Sequence, residues 1–179
     1  MKRFVTLLLI SFSSFGIIHA QQYQTADDKS TVKFSIKNFG INVGGSFKGL
    51  TGDIDFDKAN PDKAVFNVSI DAATVNTDND SRDNHLRKAE YFDVTNHPKI
   101  TFKSDKVSAK GSDFTVSGQL TIKGVTKAIS IPFKAQPKDD GYIFDGSFQL
   151  NRRDFKVGGN SVVLGDNVTV TLSVFARKK

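Results

Sequence analysis

The sequence predicts an all-β chain folded as an eight-stranded antiparallel barrel with one short helical insert. Three observations carry this. Apolar and polar residues alternate with period two in one segment after another, as half-buried strands require. The connections between most of these segments are short and turn-like, which favours antiparallel neighbours. The second segment, residues 43–57, contains Gly44, Gly45, Gly49 and Gly52. Glycine within a strand marks a bend or bulge, and sharply curved strands are what barrel closure needs. About eight alternating strands suit either a barrel or a sandwich, and the bent second strand favours the barrel.

The 179 residues fit one domain with a real core. Residues 1–20 fall outside it. Met1-Lys2-Arg3 is a positive n-region, residues 4–18 are apolar, and Ala20 offers a small residue before Gln21. This is the pattern of a secretory signal peptide, too short for a stable anchor, which leaves residues 21–179 as the mature domain. No later stretch approaches the roughly 20 apolar residues of a membrane helix. The expected location is therefore periplasmic or secreted. There is no cysteine, which excludes disulfides, thiol chemistry and a lipidated N-terminal cysteine. Net charge is +6, or about +4 without Lys2 and Arg3, and the charges are scattered. A mixed solvated surface follows, and no nucleic-acid partner is expected.

The elements follow in order. Residues 23–29 read as a polar lead-in. Val32, Phe34 and Ile36 form the inward face of the first strand. The glycine-bent segment follows, with Phe47, Ile54 and Phe56 as its apolar points. Ala64, Phe66, Val68 and Ile70 alternate next, and residues 72–80 make a polar connection. Residues 79–93 read as the helical insert. Asp80 or Ser81 can cap it, Asp83 falls in the first turn, and Arg87 and Lys88 lie near the end, as the helix dipole prefers. Leu86 and Ala89 share a face, and Phe92 anchors the exit. Ile100 and Phe102 mark the next strand. Phe114, Val116, Gly118, Leu120 and Ile122 give the cleanest alternation in the chain. Lys123-Gly124 is a tight turn into Val125, Ile129, Ile131 and Phe133. Tyr142, Phe144, Gly146, Phe148 and Leu150 follow. A polar loop over residues 151–166 leads to the last strand, with Val168, Val170, Leu172, Val174 and Ala176 on one face.

Catalytic signals are weak. His85 and His97 have no metal-ligand spacing of the H-E-x-x-H kind, and Arg82 and His85 on one helical face suit a latch better than a metal cup. There is no Gly-x-Ser-x-Gly elbow. Gly44-Gly45 and Gly158-Gly159 lack the strand–turn–helix context of a phosphate loop. Asp27-Asp28 and Asp139-Asp140 occupy ordinary solvated positions, and the glycosylation matches at Asn67 and Asn167 lie within strands. A second polar knot, residues 151–155, sits at a strand end. There Arg and Asn side chains could meet a polar headgroup, or Arg153 and Asp154 could pair with the insert and pin it to the rim, and the second reading is favoured.

The most informative count is phenylalanine, 16 in all, of which Phe4, Phe12 and Phe15 belong to the leader. The remainder serve either a filled core or the wall of an apolar cavity.

Arg82-Asp83-Asn84-His85-Leu86, followed by Tyr91-Phe92-Asp93-Val94, His97-Pro98 and Ile100-Thr101-Phe102-Lys103-Ser104, resembles the central signature of the YceI-like family. So do residues 118–127, 32–36, 45–47, 52–54 and 151–155. The resemblance covers essentially the whole mature chain, in order. It implies a lipocalin-like barrel that binds a polyisoprenoid chain in its lumen, exported to the bacterial periplasm and not enzymatic. Some relatives are dimers, so monomer and homodimer both stay open. The family often carries His where this chain has Asn38.

The expected function is to sequester or carry an isoprenoid lipid, with a polyprenyl or quinone tail as the ligand, no cofactor, no integral membrane span and at most transient membrane contact. By parity the expected wall is Phe34, Ile36, Phe66, Val68, Ile70, Phe102, Phe114, Val116, Leu120, Ile129, Ile131, Phe144, Phe148, Val170 and Leu172. The expected rim or latch is Arg82, Asp83, His85, Arg153 and Asp154. Two competing readings are a lipid-modifying or isomerising enzyme using His85 and Asp83 at the mouth, and a filled barrel acting through its surface.

Overall fold

The alternating segments pair into one continuous sheet that closes on itself. The computed structural model describes residues 21–179, so the signal-peptide reading of residues 1–20 lies outside the described residues. The strands are β1 (Gln21–Thr25), β2 (Thr31–Asn38), β3 (Ile41–Phe56), β4 (Val65–Asn76), β5 (Lys99–Lys110), β6 (Asp113–Ile122), β7 (Val125–Lys138), β8 (Gly141–Asn151) and β9 (Leu164–Lys178), with helix α1 (Asp80–Leu86) between β4 and β5. Neighbours run β3-β2-β9-β8-β7-β6-β5-β4, and β4 returns to β3 to close the barrel. Every pairing is antiparallel.

The polar lead-in expected at residues 23–29 is a strand and a turn. β1 pairs with the far halves of β3 and β9, through Tyr23 opposite Ile54 and Lys178. It therefore continues the position that β2 fills higher up, with a short 3₁₀ turn (Asp27–Lys29) between them. One buried tyrosine among glutamines has no visible period, so only the pairing reveals this strand. The turn also covers Phe175, which points out of the barrel yet is buried, with the Lys29 ammonium 4.9 Å from its ring centroid.

β3 is one long strand bent where expected. Gly49 takes a φ of 74°, and the buried side shifts from Phe47 to Leu50, a step of three that only a bulge permits. A Cβ on Gly52 would collide with the Asn67 carbonyl, so β4 can approach only a glycine there. The β3–β4 register jumps from Ser46–Asn76 to Lys48–Asp71 across this bend.

Connections β2–β3, β4–β5, β6–β7 and β8–β9 gather at one end, called the upper rim here, and the others at the lower end. The lower half is solid. Phe56 is 1% exposed, and its ring lies 5.2–6.5 Å from those of Phe66, Phe114, Phe133, Tyr142 and Phe144, mostly edge to face. Tyr23 closes this floor against Tyr142 at 5.5 Å.

The insert forms where expected, but its cap lies one residue earlier. Asn79, not Asp80 or Ser81, is the cap: its backbone is extended and its side-chain oxygen accepts the Arg82 N–H at 2.9 Å. The helix ends at Leu86, and residues 87–97 continue as turns, including Phe92 N–H to the Leu86 carbonyl and Val94 N–H to the Arg87 carbonyl. Ala89, expected to share the buried face of Leu86, is exposed because it lies beyond the helix.

Candidate ligand-binding cavity

Above the aromatic floor the barrel is hollow. A cavity of about 250 Å³ occupies its upper half, with an almost wholly apolar wall. Of the residues expected on the wall, Phe34, Ile36, Val68, Ile70, Phe102, Leu120, Ile131, Phe148, Val170 and Leu172 line it. Phe66, Phe114, Val116 and Phe144 do not: they are buried in the filled region below. Ile129 packs against the core without bordering the space. Parity gives the face of a strand but not the height along it, and height separates wall from floor. Val43, Phe47, Ile100, Ile122, Leu150 and Val174 also line the cavity, on strand positions that parity could have supplied.

The insert roofs one side. Phe92 meets Phe47 edge to face at 5.3 Å, and Leu86 and Tyr91 join the wall. What fixes it is Thr77, at the end of β4. Buried Asp83 accepts from the Thr77 N–H at 2.9 Å and its hydroxyl at 2.6 Å. Arg82 donates from Nε to the same hydroxyl and from Nη2 to the Thr77 carbonyl, both at 2.7 Å. A buried carboxylate so satisfied holds the helix in one pose. Arg87 adds bonds to the Ala73 and Val75 carbonyls. Arg82 and Asp83 thus form a latch, but its partner is Thr77, which the sequence reading did not single out.

His85 takes no part in it. It is exposed, with Nε2 3.2 Å from a Glu90 carboxylate oxygen and its ring 5.0 Å from that of Tyr91. Arg153 and Asp154 do not pin the insert either. Arg153 reaches Asp166 and Asn160 within its own loop, and Asp154 is exposed. The organising residue is their neighbour Arg152, 3% exposed. Its guanidinium donates to the carbonyls of Val157, Gly158, Gly159, Leu164 and Gly165 and to Asp166, gathering the β8–β9 loop around one charge. Adjacent arginines look alike in sequence, and only the strand's exit angle decides which is buried.

The insert meets this loop through the Gly158 N–H, which donates to the Glu90 carbonyl at 2.9 Å. Lys123 of the β6–β7 turn donates to the carbonyls of both Glu90 and Lys156. The rim is thus braced on the side of β4, β6 and β8. Among the described residues no buried side-chain polar atom lacks a partner, so the polar groups at the top of the cavity are already satisfied. What the space offers a guest is apolar surface. Among the described residues no cluster of His, Asp or Glu could hold a metal ion.

Residues 23–176 match the YceI-like domain. The chain belongs to the YceI-like family. A UPF0312 protein of Pectobacterium carotovorum is 33% identical over 168 residues, covering 87% of this chain and 86% of that one. Among solved structures, the YceI-like barrel resembles BcnA of Burkholderia cenocepacia with a TM-score of 0.81 at 24% identity, covering 84% of this chain and 98% of BcnA. It also resembles a polyisoprenoid binding domain from Saccharophagus degradans, with a TM-score of 0.71 at 20% identity and coverage of 90% and 100%. At these identities the likeness is one of fold.

Proposed function

We propose that this protein holds the chain of an isoprenoid lipid, such as a polyprenyl or quinone tail, in the upper cavity and so sequesters or carries it outside the cytoplasm. The observation that carries this reading is an apolar cavity of about 250 Å³ above a sealed aromatic floor. An apolar void of about 150 Å³ is enough to bind benzene, so this one accepts a segment of hydrocarbon chain. At about 0.8 kcal/mol per buried carbon, one five-carbon unit gains about 4 kcal/mol before ordering costs. The polyisoprenoid-binding domain with the same fold supports this choice of ligand. No covalent step is needed. His85, on which an enzymatic reading would rest, borders Tyr91 and Glu90 rather than the cavity.

Organic extraction of the purified protein followed by mass spectrometry tests the reading. The expected result is a co-purifying isoprenoid, displaced when Val170→Phe narrows the cavity. Extracts that stay free of isoprenoid, from protein that also fails to take up added polyprenol or quinone, would overturn it.

A further inference from the structure

The upper rim carries a second apolar feature that faces solvent. The β2–β3 turn is Phe39-Gly40, with φ of 49° and 76°, the geometry of a type I′ hairpin turn. Such turns favour Asn-Gly or Asp-Gly. Here the first position holds a phenylalanine, 74% exposed. The other hairpin turns carry Gly111-Ser112, Lys123-Gly124 and Asp139-Asp140. A bulky apolar residue in the left-handed region, with its ring in water, does nothing for the folded state. Ile41 beside it is 70% exposed.

The β8–β9 loop brings Val162 (103% exposed) and Val163 to the same place. The Phe39 N–H donates to the Val163 carbonyl at 2.9 Å, and Asn38 pairs with Leu164. The two tips are therefore held side by side. Among the described residues the remaining exposed large apolar side chain is Val65, at the lower end. Lys33 and Lys37 are exposed on β2 below the tips. Asp166 in the adjoining loop is engaged by Arg152 and Arg153; the exposed rim carboxylates Asp80, Glu90 and Asp154 belong to the insert and the start of the β8–β9 loop, and Asp78, just before the insert, lines a surface pocket together with Lys33. The cavity wall includes Asn38 and Leu164, next in chain to Phe39 and Val163.

We propose that Phe39, Ile41, Val162 and Val163 insert into the surface of an anionic lipid bilayer, with Lys33 and Lys37 facing its headgroups, so that the upper end of the cavity meets the membrane. Projecting apolar tips flanked by cations suit an interface of headgroups and acyl chains. They are too few to build the roughly 1,000 Å² of a specific protein interface. Docking gives the lipid-carrier reading, on which its purpose rests, a route for an insoluble guest that avoids water.

Sedimentation of the purified protein with vesicles of phosphatidylcholine and phosphatidylglycerol tests this. Binding is expected to weaken by about tenfold or more in Phe39→Asn with Val162→Ser, and on replacing phosphatidylglycerol by phosphatidylcholine. Asn suits the turn, so Phe39→Asn should melt no lower than the parent. Val65→Ser at the lower end should bind as the parent does. Failure of the parent to bind anionic vesicles, or equal loss in Val65→Ser, overturns the proposal. So does light scattering that shows a dimer which Phe39→Asn dissociates, since the patch would then be a subunit contact. Mass spectrometry of the same samples separates the two readings. Vesicle binding by protein that never holds isoprenoid removes the ligand and leaves docking standing, whereas a full lipid load with no vesicle binding removes docking alone.

Discussion

The lower and upper halves of this barrel are built from the same strands with the same alternation, yet one is solid and the other hollow. Below, inward positions carry Phe56, Phe66, Phe114, Phe133 and Phe144, whose rings interlock from five sides of the barrel. Above, inward positions are mostly aliphatic, among them Ile36, Val68, Ile70, Leu120, Val170 and Leu172. A barrel of eight strands has an interior just wide enough for side chains to fill or for one small guest. Large rings fill it and shorter aliphatic chains do not. Side-chain reach, more than hydrophobicity, divides floor from cavity.

This contrast can be broken by experiment. Phe56→Ala removes the ring at the centre of the floor and should cost about 3–5 kcal/mol, read by urea unfolding, whereas Phe34→Ala in the cavity wall should cost about 1–2 kcal/mol because one side of that ring already faces empty space. Equal losses would mean that the upper half is packed as tightly as the lower. Arg152→Met should cost about 3 kcal/mol, because it leaves gathered carbonyls and Asp166 without a partner, and should raise hydrogen exchange in residues 156–166 specifically. Val170→Phe should change stability by no more than about 1 kcal/mol while lowering lipid occupancy severalfold; the same addition to a filled core would strain it. His85→Ala should stay within about 0.5 kcal/mol of the parent and leave lipid occupancy unchanged.

The floor also carries a pH dependence. Burial, with smaller contributions from Tyr142 and Asp57, raises the Tyr23 phenol above its ordinary value of 10.0. The folded state then holds the proton more tightly than the unfolded state. This contribution is complete below pH 10 and is lost as pH climbs through the folded value. Melting temperature should fall above about pH 10, and Tyr23→Phe should flatten that limb.

Much of this fold was legible because period two, turn residues and strand glycines are local signals. The bend at Gly49–Gly52, the Lys123-Gly124 turn and the existence of one helical insert were all readable in that way. Within the candidate site, face was legible and depth was not. Phe102 and Phe114 look equivalent in sequence, but one borders the cavity and the other the floor. The latch was half legible. Arg82 and Asp83 sit at helix positions that invite a partner, but Thr77 becomes that partner only because β4 ends beside the helix start. Arg153 and Asp154 were the wrong side of a one-residue choice that the turn into the 3₁₀ segment Arg152–Phe155 settles.

The sequence alone determined an all-β chain, its bent second strand, its insert and its family, because each rests on residue order or short-range periodicity. Only the tertiary structure decided that β1 and β2 share one position in the wall, that five rings close around Phe56 to fill one end, and that Phe39 and Val162 meet at the other. Those facts depend on strand register and stagger, which are set by pairings between residues far apart in the chain.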